Sequence, residues 1–354
     1  MEAVSRMGVD LAKRVIQLHC VDRQEHVILR RSIPTERFAE FMSRLQPCDV
    51  AMEACASAHH WARKLTAMGH SVKLIAPQFV APYRKGGARC KNDAADAEAI
   101  CEVAARPTMR FVQVKTVEQQ GIATLHRMRQ GWLEERTALI NRLRGLLAEF
   151  GITIPQRIEA LRRIPEILED ANNELPGITR GALYAAWEHL KVLDERMREV
   201  DRQIEQHAKQ DDRASRIMAL PGVGPITASA LIAAVGNARE FKNGRQFAAW
   251  LGLAPRQNSS GGKSQLGSIT KRGDSYLRML LVLGARSALM TAGRRTDRLS
   301  RWLQEVQGRL GWQKALVALA NKHARIIWAL LTRDESFRPD HVPACFTPMQ
   351  PQEQ

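Results

Sequence analysis

The sequence predicts a mixed α/β domain followed by mostly helical structure, and three observations carry this reading. Residues 1–110 alternate short apolar strand signals with helix-period segments. Residues 115–207 hold two long stretches whose apolar side chains recur at three-, four- and seven-residue intervals. From about residue 208, apolar helical runs are joined by Gly-rich, Ser-rich and basic connections. A chain of 354 residues, 45% of them hydrophobic, has material for two or three cores.

In chain order, RMGVDLAK reads as a short apolar strand with a carboxylate in it. VIQLHCVD and HVILRRSI follow at close spacing, as in an antiparallel meander. Pro34-Thr35-Glu36 opens a helix with Thr35 as N-cap, and Phe38, Phe41, Met42 and Leu45 form its apolar face. CDVAMEAC is a second buried strand, again carrying a carboxylate. Residues 57–68 form a helix, HSVKLIAP a further strand, and KNDAADAEAICEVAAR an Ala-rich helix. Three strands followed by alternating helix and strand is the order of an RNase H-like fold.

One long helix is expected over 115–150, marked by Ile122, Leu125, Trp132, Leu139, Leu143 and Leu146. A second, from about 180 to 207, follows a stretch punctuated by Pro155, Pro165, Pro176 and Gly177. The heptads are irregular, and two arrangements stay open: an antiparallel or intermolecular coiled coil, or a helical hairpin packing on its own domain. Beyond it, IMALPGVGPITASALIAAVG sets an LPGVGP turn between two apolar helical segments. Gly222 and Gly224 let the backbone approach closely, and amides opening the next helix suit a phosphate. This is a helix-hairpin-helix-like element, fitted to non-specific contact with a DNA backbone. Residues 275–290 and 311–332 are two more helices.

Lys and Arg outnumber Asp and Glu by 53 to 37, giving a formal charge of +16 and pointing to a polyanionic partner, most often nucleic acid. The excess is uneven: +5 over residues 1–110, −1 over 111–207 and +13 over 208–335. Cys20, Cys48, Cys55, Cys90, Cys101 and Cys345 form no CxxC pair, which argues against zinc and for free thiols in a reducing compartment. The start, MEAVSRMGVDLAK, has no apolar run of signal-peptide length and no window approaches 18 uninterrupted apolar residues, so a cytoplasmic protein is expected.

Four acids stand out. Asp10 and Glu53 interrupt apolar strands, where an ionised carboxylate needs a partner. Asp93 and Asp96, three apart on a helix, project from one face and repel. Taken singly, Asp10 can pair with Lys13 or Arg14, Asp93 can cap its helix and Asp96 can face solvent. A divalent metal accounts for all four together: Mg²⁺ prefers oxygen ligands and suits phosphoryl transfer. Glu98 and Glu102 turn off this face and read as surface. In LGLAPRQNSSGGKSQLGSITKRGDSYLR, residues 251–278, a loop is expected in which Ser259 and Ser260 precede two glycines and Lys263, Lys271, Arg272 and Arg278 supply cations. Read alone, this is either a phosphate-binding loop without chemistry or a nucleophile site. His59 and His60 lie far from it in sequence and read as surface or packing residues.

The order GVDLAK, MEACASAHHW, KNDAADAEAI, LPGVGPITASAL and GLAPRQNSSGGKSQLGSITKRGDSYLRMLL resembles the insertion-sequence 110 transposases and the related Piv-type DNA invertases, over roughly residues 5–335. The resemblance implies a RuvC-like metal-binding domain at 1–112 with an Asp-Glu-Asp-Asp set at Asp10, Glu53, Asp93 and Asp96. It further implies a coiled-coil segment at 113–207 and a transposase domain with a catalytic serine at 208–335, leaving 336–354 as a disordered tail. The nucleophile of the family maps onto Ser260, with Ser259 adjacent. The implied activity is cutting and rejoining DNA strands through a Mg²⁺-dependent phosphoserine link, guided by a structured non-coding RNA, in a dimer or tetramer. A plain Mg²⁺ nuclease or junction resolvase, and a non-catalytic DNA-binding protein, are the rival readings.

Overall fold

The computed structural model describes residues 4–84, 93–260 and 263–340; the side chains of residues 259, 260, 263 and 264 are outside the described set. The chain divides into two compact units, Met1–Val117 and Glu118–Gln354.

In the first unit, β1 (Arg6–Leu11), β2 (Val15–Val21), β3 (Val27–Pro34), β4 (Asp49–Glu53), β5 (Ser71–Ile75) and β6 (Phe111–Val112) form one sheet in the order β3-β2-β1-β4-β5-β6. The first three strands make the expected antiparallel meander, β1, β4 and β5 run parallel, and β6 closes the edge antiparallel. Alternation along β1 and β4 divides the residues between two faces. Met7, Val9, Val50 and Met52 pack with Phe38 and Met42 of α1 (Thr35–Ser43) and Trp61 and Leu65 of α2 (Ala58–Ala67). On the other face Ala51 and Ile75 meet Val80 of α3 (Pro77–Val80) and Ile100 and Val103 of α4 (Asp93–Ala104).

The closest approach in this unit is at Gly8. A Cβ there would lie 2.1 Å from the Ala97 carbonyl oxygen and 2.6 Å from the Cys101 nitrogen, so α4 rests directly on the β1 backbone. Arg6 Nε donates to the Cys101 carbonyl at 3.0 Å and ties the same helix down. One local expectation is corrected: the N-cap of α1 is Pro34, and Thr35 Oγ1 instead reaches the carbonyls of Ala12 and Lys13 at 3.4 Å. His59 and Arg63 of α2 hold the chain after β6. Lys115 N–H donates to His59 Nδ1 at 3.2 Å, and Arg63 Nη1 donates to the Lys115 carbonyl at 2.6 Å.

The second unit opens with α5 (Val117–Ala148) and α7 (Gly177–Gln210), joined through α6 (Ile164–Glu169). They pair antiparallel within one chain: Arg129 binds Asp201, and seven residues up α5 Arg136 binds Asp194, seven residues back along α7. Leu139, Leu143 and Leu147 pack with Leu183, Leu190 and Leu193 at the far end. Within the described chain, α5 and α7 thus form an antiparallel helical pair. Near its base, buried His126 bonds Tyr276 Oη at 3.1 Å and Ser229 Oγ at 3.2 Å, which locks α5 to the helices that follow.

Those helices are α8 (Asp212–Met218), α9 (Pro225–Val235), α10 (Gly244–Trp250), α11 (Ser275–Ala292), α12 (Arg298–Leu310) and α13 (Trp312–Arg333) around one apolar core. Residues 251–278 are not the loop that their Ser/Gly content predicts: β7 (Pro255–Ser260) and β8 (Lys263–Ile269) pair as a hairpin. Within the expected tail 336–354, Phe337 packs on the core and Asp340 accepts from Arg298 N–H at 3.0 Å. Cys90, Gly261, Gly262, Cys345 and the tail residues 341–354 lie outside the described residues.

Two predictions follow from packing. A Cβ on Gly222 would lie 2.0 Å from the Gly284 carbonyl oxygen and one on Gly284 would lie 2.2 Å from that of Gly222, while Gly224 faces open space. Gly222→Ala and Gly284→Ala are each expected to cost about 1–3 kcal/mol in thermal or denaturant unfolding, with Gly224→Ala costing less. His323 on α13 is fully buried, neither ring nitrogen has a hydrogen-bond partner, and burial lowers its pKa from 6.5 to about 4. The unfolded chain therefore binds this proton first as pH falls, so its contribution is present above pH 6.5 and is lost toward pH 4. Unfolding measured across this window is expected to show a flatter pH dependence for His323→Leu, by on the order of 3 kcal/mol over its full width.

Candidate functional site

The acidic site follows from the register of two elements. Gly8 and Asp10 share a face of β1, and α4 crosses that face with Ala97 over Gly8. One turn and one residue before Ala97 on α4, Asp93 and Asp96 therefore come over Asp10. The three side chains each place a carboxylate oxygen within 4.8 Å of the others. Asp93 is exposed, Asp10 half-buried and Asp96 only 3% exposed. Small χ rotations bring such oxygens to the roughly 3–4 Å separations of ligands sharing one Mg²⁺, and an all-oxygen set suits a hard divalent ion. The donor chemistry and spacing thus fit a metal.

Glu53, the fourth predicted acid, is close but differently engaged. Parallel pairing brings Val9 opposite Met52, so the next residues, Asp10 and Glu53, lie side by side on β1 and β4. The Glu53 carboxylate faces Arg84, whose Nη2 is 3.3 Å from Glu53 Oε2 and whose Nε is 2.8 Å from Asp96 Oδ1. Arg84 is the residue that sequence reasoning missed; nothing in PYRKGG marks it as reaching acids 31 and 12 positions away. Glu98 and Glu102 stand apart from the trio, paired with Arg30 and Arg106.

In the second unit, Ser260 ends β7 opposite Lys263, and Ser259 lies opposite Ser264. The base of this hairpin is bolted to the helical core. Thr270 N–H donates to the Ala254 carbonyl at 2.8 Å and Lys271 N–H to that of Gly252 at 3.1 Å. Gly252 and Gly273 both take positive φ, and a Cβ on either would lie within 2.2 Å of a backbone oxygen, of Arg272 and Trp250 respectively. Lys271 itself is left-handed at φ 54°. Lys271 and Arg272 are exposed, whereas Arg278 turns inward and donates from Nη1 to the Leu251 carbonyl at 3.2 Å. Arg278 thus clamps the hairpin base. The LPGVGP turn likewise splits its glycines: Gly222 is packed against Gly284 of α11, and Gly224, the N-cap position of α9, is open. Among the described residues no helix is long and apolar enough to cross a membrane.

Residues 7–152 match the IS110-type DEDD model described as "Transposase", and residues 214–300 match the "Transposase IS116/IS110/IS902 family". The chain is 50% identical over 95% of its length to a probable family 20 transposase of Pseudomonas aeruginosa, covering 99% of that protein. It is 41% identical over 96% of its length to the transposase for insertion sequence element IS1111A of Coxiella burnetii, covering 92% of it. It is 39% identical over 95% of its length to the transposase for insertion sequence element IS1328 of Yersinia enterocolitica, covering 99% of it. With such relatives matching along almost the whole chain, the protein belongs to the IS110/IS116 family of insertion-sequence transposases, enzymes whose substrate is DNA.

Proposed function

We propose that this transposase cuts and rejoins DNA through a covalent phosphoserine link at Ser260, with Asp10, Glu53, Asp93 and Asp96 as the ligands of Mg²⁺ in an RNase H-like, RuvC-like domain. The observation that carries the reading is the convergence of Asp10, Asp93 and Asp96 within 4.8 Å. Carboxylates so close and partly buried repel strongly unless a cation lies among them. Bound there, Mg²⁺ supplies electrostatic stabilisation of the charge that develops on a phosphoryl group in transfer.

The chain's own part is positional. Asp96 is held by the packing of α4 on Gly8, and Asp10 by strand pairing on both sides. The hairpin places Ser260 at the end of β7, above a base held by backbone hydrogen bonds and closely packed glycines. Its hydroxyl forms a bond to phosphorus and the sugar oxygen leaves as a strand-end hydroxyl, taking up a proton. A hydroxyl of the partner strand then displaces the serine, so strands exchange without net hydrolysis. Lys263, exposed Lys271 and exposed Arg272 suit contact with the phosphates, as does open Gly224 at the start of α9. The net charge of +13 over residues 208–335 supports a polyanion there. A structured non-coding RNA choosing the target, a dimer or tetramer as the working form, and a cytoplasmic setting complete the proposal.

Donor and target DNA, Mg²⁺ and the RNA encoded beside the element are incubated with the protein, and a denaturing gel is read for a protein–DNA adduct. The wild type is expected to give the adduct, Ser260→Ala to give none, and Asp96→Asn to reduce it by about 100-fold or more. Cut DNA without adduct in both wild type and Ser260→Ala establishes the water-using nuclease instead. An adduct that survives Ser260→Ala but not Ser259→Ala moves the nucleophile by one residue.

A further inference from the structure

Glu53 is the only one of the four acids outside the trio of converging carboxylates, although the sheet delivers it next to Asp10. The Cys55 thiol is pushed up chiefly by burial, with the charges of both Glu53 and Asp10 adding to the shift, so the two acids share one neighbourhood. Glu53 is paired with Arg84. Arg84 spans Glu53 and Asp96 with one guanidinium: Nη2 donates to Glu53 Oε2 at 3.3 Å, and Nε lies 2.8 Å from Asp96 Oδ1 as a charge contact outside hydrogen-bond geometry. The three side chains are 19%, 4% and 30% accessible for Glu53, Asp96 and Arg84, so the bridge is largely shielded from water, where a charge pair is screened least. Arg84 follows the short turn Ala81–Tyr83 that packs against α4, and Arg106 of the chain after α4 stacks over the Tyr83 ring at 5.4 Å. The arginine therefore enters the site from a supported segment.

We infer that Arg84 is a built-in counter-cation of the acidic site: it neutralises Glu53 and Asp96 in the metal-free protein, and a divalent ion acquires its full carboxylate set only as the guanidinium withdraws. The inference rests on the metal reading proposed above. A guanidinium does not lose its proton in proteins, so it cannot make room by neutralising itself. It offers no lone pair to a metal, and at a few ångströms it repels one. Metal and Arg84 thus compete for the same oxygens. The affinity measured for the metal is then reduced by the fraction of protein in which the bridge is closed. The bridge also explains how Asp96 stays buried beside two other acids before any metal arrives.

The test is calorimetric titration of Mn²⁺ into the full-length protein without nucleic acid, for wild type, Arg84→Gln, Glu53→Gln, the double variant and Asp96→Asn. Arg84→Gln is expected to bind Mn²⁺ about tenfold more tightly than wild type, as for a bridge closed about nine-tenths of the time. In the Glu53→Gln background the same substitution is expected to gain less, because one of the two ligands it would release is already gone. Equal affinity for wild type and Arg84→Gln overturns the inference. So does an equal gain in both backgrounds, which is the mark of a lost positive charge acting at a distance. Should Arg84→Gln fold too poorly to titrate, Arg84→Met removes the charge while keeping an unbranched side chain, and unchanged Mn²⁺ affinity in that variant overturns the inference equally. Mn²⁺ binding by Asp96→Asn that matches wild type strikes at the metal reading itself and is distinguishable from all of these.

Discussion

The contact of α4 with the backbone of β1 at Gly8 is the constraint on which the acidic site depends. No other residue fits there, since a Cβ would sit 2.1 Å from the Ala97 carbonyl oxygen. The contact sets three things at once. It fixes the height of α4 above the sheet, it aligns the helix so that residues four before Ala97 and one before it lie over the next same-face position of β1, and it buries Asp96. Asp10 is that same-face position, two residues beyond Gly8. A side chain at residue 8 would lift the helix, and the separation of Asp10 from Asp93 and Asp96 would grow with it. The site geometry is thus set by backbone packing, and the carboxylates ride on it.

The second unit uses the same device. Gly222 and Gly284 press backbone to backbone, and Gly252 and Gly273 fold the ends of the hairpin onto the chain at Trp250 and Arg272. Such contacts leave no flexible side chain to give way, and they hold a segment more narrowly than apolar packing does. The hairpin whose first strand ends at Ser260 therefore rises from a rigid base, although its own exposed residues, Arg256 to Asn258, make no core. Arg278 belongs to this base. A guanidinium donating to the Leu251 carbonyl fixes the turn and contributes its charge from within.

Much of the first unit was legible because strand and helix periods were clean and because an acid inside an apolar strand is costly enough to be informative. Asp10 and Glu53 stood out for that reason, and Asp93 and Asp96 for their helical spacing. The pairing of Glu53 with Arg84 was not legible, because it depends on where a turn 31 residues later comes to rest. The β7–β8 hairpin was misread as a loop since NSSGGKS carries turn composition and little strand propensity. The two roles of Gly222 and Gly224 were indistinguishable in sequence: both satisfy a GxG turn, and only the position of α11 decides which of them is covered. The register of α5 on α7 was hidden in the same way. Its ion pairs, Arg129 with Asp201 and Arg136 with Asp194, are separated by 72 and 58 residues, and no heptad count predicts the length of the connection between them.

Charge is partitioned as the packing requires. In the helical hairpin, opposite charges lie across the seam and the stretch 111–207 comes out at −1, so this region has little long-range pull on a polyanion. Across residues 208–335 there are 21 basic and only 8 acidic side chains, and several of the acids are already committed. Asp211, Asp274 and Asp297 accept from backbone N–H groups at helix starts, and Asp334 binds Arg216 and Arg239. An acid used as a cap holds its helix and still offsets nearby positive charge, but no acidic surplus remains to mask the basic side chains as a group. The field of this unit is therefore positive by construction, and it attracts a phosphate backbone regardless of base sequence. Base choice must then come from something other than this charge, since a potential of one sign draws every nucleic acid alike.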